Sequence, residues 1–258
     1  MSCIKFFSIP TSKSMKFKYT SAFAGIIASS VLAIATTPAQ AFNFTSGTNL
    51  GSCSTLLTAS CKTDDGFTLK AGGSRDKKDV LEAKTINGVT GVGVSNGGND
   101  VVTAEINHGE YIDLSLDAPK ALKSLDFSFL YPRNGLFNDL VYEVAAVAPN
   151  LANVFGTLTL GDNNSAVWSW DGKGQTVNSS NPGGGLYSVL NPFGDKLISQ
   201  LRLTAPSQPG VDEYCAQNND YALAGAEVKD VPEPATIAGL GLVAGALVTS
   251  RRRRKARA

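Results

Sequence analysis

Glu110-Tyr111-Ile112-Asp113-Leu114-Ser115-Leu116-Asp117 alternates apolar and polar side chains almost without a break. A period of two is the geometry of a half-buried β-strand, because successive Cβ atoms leave the backbone on opposite sides. Ile112, Leu114 and Leu116 therefore share a core face, while Asp113, Ser115 and Asp117 face away. Leu125, Phe127, Phe129 and Tyr131 repeat the period with larger side chains, which suits the centre of a sheet core. Further strand-like runs fall at 67–71, 101–107, 140–148, 154–160, 166–170, 186–190, 197–203 and 221–228. Turn-forming residues such as Asn96-Gly97-Gly98-Asn99-Asp100 and Gly161-Asp162-Asn163-Asn164 punctuate them. No long stretch has a helical period; residues 79–84 read as one short helical turn, and 172–192 as a long Gly-, Asn-, Ser- and Pro-rich surface loop. About ten short strands in roughly 190 residues make an all-β protein, an antiparallel β-sandwich with the jelly roll as one arrangement of it. An outer-membrane barrel is excluded by the lack of a regular lipid-facing apolar band with aromatic girdles.

The charges divide the chain into three parts. The whole chain carries +1, yet residues 42–230 hold 13 Lys and Arg against 21 Asp and Glu, a net charge of −8. An acidic body is a poor nucleic-acid binder, since phosphate recognition needs clustered cations. The positive charge is gathered at the two ends. Lys5, Lys13, Lys16 and Lys18 precede an apolar stretch at 22–35, and Ala39-Gln40-Ala41 follows as a small-x-small cleavage site. Residues 1–41 thus read as a secretory signal peptide cut by signal peptidase beside Ala39 and Ala41, leaving Phe42 as the mature N-terminus.

At the other end, Val231-Pro232-Glu233-Pro234 leads into an apolar run at 235–250, closed by Arg251-Arg252-Arg253-Arg254-Lys255. Two prolines fix φ and remove backbone donors, so this element stays extended and open to a partner. The apolar run is 16 residues, short for an untilted membrane helix, and the arginines extend its reach by snorkelling. The basic cluster holds the C-terminus on the cytoplasmic side. This order of segments resembles the PEP-CTERM sorting signal of bacterial envelope proteins. The resemblance covers 231–258 alone. It implies that Pro232, Glu233 and Pro234 are read by a membrane-embedded processing enzyme, an exosortase, and that the protein is anchored through one C-terminal transmembrane helix before reaching the cell surface.

Cys53, Cys61 and Cys215 remain after signal removal. In an oxidising envelope Cys53–Cys61 is the expected disulfide, which leaves Cys215 over, although pairing of Cys215 with either of the others stays open.

Candidate chemistry is sparse. Gly93-Val94-Ser95-Asn96-Gly97 matches the Gly-x-Ser-x-Gly elbow in letters. The elbow works at a sharp strand-to-helix turn, and here another strand follows, so the pattern reads as a glycine-rich turn. His108, the one histidine of the chain, reads as an exposed turn residue between strands at 101–107 and 110–117. No cofactor is expected; a structural calcium is a candidate only at Asn99-Asp100, Asn138-Asp139 and Asp162-Asn163-Asn164. Trp168 and Trp170, two apart on a strand, face one side: core if inward, a glycan-stacking platform if outward. Two readings follow. The first is a non-catalytic structural or adhesive β-sandwich, exported to a polysaccharide-rich extracellular matrix; the second is a carbohydrate-binding or glycan-hydrolysing sandwich built on Trp168 and Trp170.

Overall fold

The computed structural model describes residues 40–73, 78–95, 104–133, 142–207 and 219–229. The apolar segment 22–35, Ala39, Asn99-Asp100, Asn138-Asp139, Cys215, Pro232-Glu233-Pro234 and 235–250 lie outside them. In chain order the strands are β1 (Ala41–Asn43), β2 (Ser60–Lys62), β3 (Phe67–Gly72), β4 (Val80–Ile86), β5 (Val89–Ser95), β6 (Tyr111–Lys120) and β7 (Leu122–Ser128), followed by β8 (Val144–Pro149), β9 (Gly156–Leu160), β10 (Ser165–Trp170), β11 (Lys173–Asn178), β12 (Tyr187–Leu190), β13 (Ile198–Thr204) and β14 (Ala222–Val228). Among the described residues they make two antiparallel sheets. The first runs β12-β7-β14-β5-β4, with β1 added against β14; the second runs β11-β10-β9-β8-β13-β6-β3-β2.

The alternation in β6 sets the register of the larger sheet. Ile112 and Leu114 are fully buried, and they pair with Leu203 and Leu201 of β13 on one side and with Ala71 and Leu69 of β3 on the other. On the opposite face Asp113 stands directly across from Arg202. The guanidinium donates two 2.8 Å hydrogen bonds to the Asp113 carboxylate and lies 3.9 Å from the centre of the Tyr111 ring. That cross-strand pairing would fail if either strand slipped by one residue. Between the sheets Phe42, Phe44 and Phe67 meet edge to face, and Phe127 packs against both Tyr221 and Trp168. The Tyr221 hydroxyl, buried with its ring, donates to the Thr204 carbonyl at 3.2 Å.

Several expectations need correction. Residues 79–84 are not a helical turn: Val80–Ile86 is a full edge strand paired along its whole length with β5. The 172–192 stretch is not one long loop, because Lys173–Asn178 pairs with β10. Of 101–107, the described part forms no named strand and makes a single bridge, Val94 to Glu105. Phe129 and Tyr131 do not continue the core face of Leu125 and Phe127. β7 ends at Ser128, Phe129 takes a positive φ of 63°, and both rings join Val89 and Ala222 in a small cluster apart from the main core. Val89 and Ala222 have the opposite strand parity to the core residues Val92 and Leu223, which puts that cluster on the outer face of the smaller sheet.

Candidate functional site

β10 and β11 form a hairpin turned by Asp171-Gly172, both at positive φ, the geometry of a type I′ turn. Register places Gln175 opposite Trp168 and Lys173 opposite Trp170, so these four side chains share the inner side of the sheet. Trp168 is buried, whereas Gln175 and Lys173 are exposed. β11 is the end strand of the larger sheet, and of its inner side only Val177 is buried in the core.

The loop after β12 packs against the two tryptophans. Phe193 inserts between the two tryptophans, its ring 5.7 Å from Trp168 and 4.9 Å from Trp170, edge to face in both cases. The Trp168 indole N–H donates to the Pro192 carbonyl at 2.9 Å, which leaves that ring no polar reach to solvent. Trp170 is half-buried, with the Lys196 ammonium 5.1 Å from its ring centre. What remains is an open pocket of about 500 Å³. Trp170, Asp171, Lys173, Gln175, Asn191 and Asp195 line it. Asp195 is held at the rim by Lys229, whose ammonium lies 2.6 Å from its carboxylate and 3.2 Å from the Gly194 carbonyl. That hydrogen bond, and then the charge behind it, keep the Asp195 carboxyl below its ordinary range, so it is an anion at neutral pH.

The other sequence candidates fall elsewhere. Ser95 is buried at the end of β5, and the preceding Gly93 sits inside the strand rather than in a turn. An added Cβ at Gly93 would lie 2.2 Å from the Glu105 backbone; close approach explains the glycine. His108 is exposed, as expected, but bridges in parallel to Ala205, and its ring nitrogens lie 3.1 and 3.3 Å from the Ser207 hydroxyl. Asp162-Asn163-Asn164 forms the β9–β10 turn, where Asp162 accepts a 2.8 Å hydrogen bond from the Tyr142 hydroxyl. Among the described residues no group of three or more His, Cys, Asp or Glu is gathered as metal ligands. Cys53 and Cys61 are bonded, with Cα atoms 5.0 Å apart. No helix of the described residues is long and apolar enough to cross a membrane, and 235–250 is not among them.

Sequence reasoning found the two tryptophans and missed their neighbours. Phe193, Asn191, Asp195 and Lys196 sit in Asn191-Pro192-Phe193-Gly194-Asp195-Lys196, which reads as an ordinary turn until the sheets are stacked. A large aromatic inside so polar a turn is the one local hint of a docked side chain.

The family model of the PEP-CTERM protein-sorting motif matches residues 230–254, so the chain carries that motif immediately after its last strand. The motif supports sorting to the cell surface by an exosortase-like enzyme. No curated protein and no solved structure gives a match to this chain.

Proposed function

We propose that this PEP-CTERM protein is exported, held through 235–250, and processed by an exosortase-like partner that reads Pro232-Glu233-Pro234. Its β-sandwich then serves as a non-catalytic structural or adhesive module of the cell surface or its extracellular matrix. The observation that carries the reading is the motif at 230–254, which begins at the residue after Lys229. Lys229 itself still belongs to the domain, since its backbone N–H donates to the Ala121 carbonyl at 2.8 Å. The signal peptide and the membrane helix are parts of the same proposal, supported by the basic and apolar segments at each end. The test replaces Pro232, Glu233 and Pro234 with alanine in the native host. A full-length, membrane-held species should accumulate in place of the processed one. An unchanged mature C-terminus by mass spectrometry in both strains overturns the assignment of the motif as the recognition element.

A further inference from the structure

We propose that the pocket between the β10–β11 hairpin and the loop at 191–196 is a binding site for a short neutral oligosaccharide, with Trp170 as its stacking surface. The proposal deepens the adhesive reading of the surface domain and rests on it for its biological setting.

The chemistry of the lining selects the ligand class. Asp171 and Asp195 disfavour a phosphate or carboxylate ligand, and Lys173 and Lys196 disfavour a cation. The exposed carboxylates, amides and ammonium groups disfavour a wholly apolar guest, whose burial would strip water from them. What fits all of them is a neutral molecule with many hydroxyls and one apolar face. Each sugar hydroxyl both donates and accepts, so the Asp171 and Asp195 carboxylates can accept from it, while the Gln175 and Asn191 amides can take it in either sense. The C–H face of a pyranose matches the half-exposed ring of Trp170. A volume of about 500 Å³ lies within the usual span of ligand pockets.

The ring is also braced for the task. Phe193 stands perpendicular to Trp170 at 4.9 Å and fixes its orientation, while Trp168 behind it is locked to the Pro192 carbonyl. A preorganised aromatic surface binds at lower entropic cost than a free one. Lys196 over the ring is an exposed side chain, and so weak an exposed cation–π contact is readily exchanged for a sugar ring. Trp170 is a binding residue in this account, and Phe193 and Trp168 are positioning residues.

The chain holds only these two tryptophans, so its indole fluorescence reports on this pocket alone. The experiment uses the full chain in a zwitterionic detergent free of sugar headgroups. It is titrated with cello-, malto-, manno- and chito-oligosaccharides, and with inorganic phosphate as an anion control. A saturable change in tryptophan emission is expected with at least one oligosaccharide and none with phosphate. Gln175→Ala and Asp171→Asn, both on the exposed hairpin, should weaken binding about threefold or more, and W170A, followed by calorimetry, at least about tenfold. W170F tests the same ring if W170A does not fold by circular dichroism. Thr159→Ala, on the outer face of β9, should bind as the parent does. No saturable response to any of the four series, or a response unchanged in Gln175→Ala and Asp171→Asn, overturns the site. Failure of surface sorting would appear instead in the mature termini, so the two ideas can fail separately.

Discussion

Replacing Gly93 with alanine should destabilise this protein far more than the same change at Gly174, another glycine inside a strand. Gly93 lies inside β5, where the adjoining backbone at Ala104 and Glu105 passes so close that a Cβ would meet Glu105 N and Cα at 2.2 Å and Ala104 C at 2.3 Å. Backbone atoms cannot rotate away. The 104–105 segment must retreat by roughly 1 Å, and overpacking of this kind costs about 1–3 kcal/mol. The same retreat opens the 3.0 Å hydrogen bond from Val94 N–H to the Glu105 carbonyl, adding about 1 kcal/mol. It also pulls the buried Glu105 carboxylate from the Lys84 ammonium, 2.8 Å away. A total near 3 kcal/mol lowers the melting temperature by about 6–12 °C in a domain of this size. Gly174→Ala is the matched control, since its new Cβ would meet only the Val167 side chain at an ordinary 3.7 Å. Thermal and urea unfolding of both variants decide the matter. If G93A falls within about 0.5 kcal/mol of the parent, or no lower than G174A, close approach is not why glycine stands at 93, and the Gly-x-Ser-x-Gly pattern needs another explanation.

Burial and cross-linking elsewhere in the sandwich give two further outcomes. Burial holds the Asp126 carboxyl above its ordinary 3.8; a hydrogen bond from Ser188 pulls it back, and the charge of Glu227 adds to the rise. The folded state then keeps a proton that the unfolded chain has lost, so just above pH 3.8 stability falls as pH rises. D126N should be more stable than the parent in urea at pH 7 and should lose that advantage below pH 3.8; an equal advantage at both pH values contradicts it. Removing the Cys53–Cys61 bond by a double serine substitution frees a short loop of sequence separation 8 and should lower stability by about 2.5 kcal/mol in the chain-entropy model. A urea midpoint equal to that of the oxidised parent would refute this.

What could be read from the sequence depended on whether its signal was local. The tail is a linear address, recognised as three segments in chain order, so nothing about folding was needed to find it. β6 was legible because Ile112 and Leu114 are buried on one face while the half-buried Asp113 stands on the other. β4 and β11 were missed for opposite reasons. Val80-Leu81-Glu82-Ala83-Lys84-Thr85-Ile86 mixes helix formers into a strand that only its pairing with β5 enforces. Lys173-Gly174-Gln175-Thr176-Val177-Asn178 is nearly all polar because it is a sheet edge with little to bury. Both strands nonetheless carry the strongest short hairpin signal, Asn87-Gly88 and Asp171-Gly172, each with both residues at positive φ. Those dipeptides outweigh the composition around them. Phe129 misled for a subtler reason: alternation predicts faces only while the backbone stays extended, and a single left-handed residue turned it over.

The pocket loop meets Lys229, the last described residue before the sorting motif, 34 positions further along the chain. Lys229 is clamped to Asp195 and Gly194 of the pocket loop, and β14 just before it pairs on one side with β7 and on the other with β5 and β1. A tail that holds a protein at a surface pulls first on the strand it leaves, and here that strand is flanked on both sides, so force must shear several hydrogen bonds together rather than peel an edge. From Lys229 to Pro232 a fully extended backbone reaches only about 11 Å. An enzyme reading Pro232-Glu233-Pro234 on the folded protein must therefore work against the body of the sandwich. A load applied at the pocket loop would reach the end of β14 through the Lys229–Asp195 ion pair and the hydrogen bond from Lys229 to the Gly194 carbonyl.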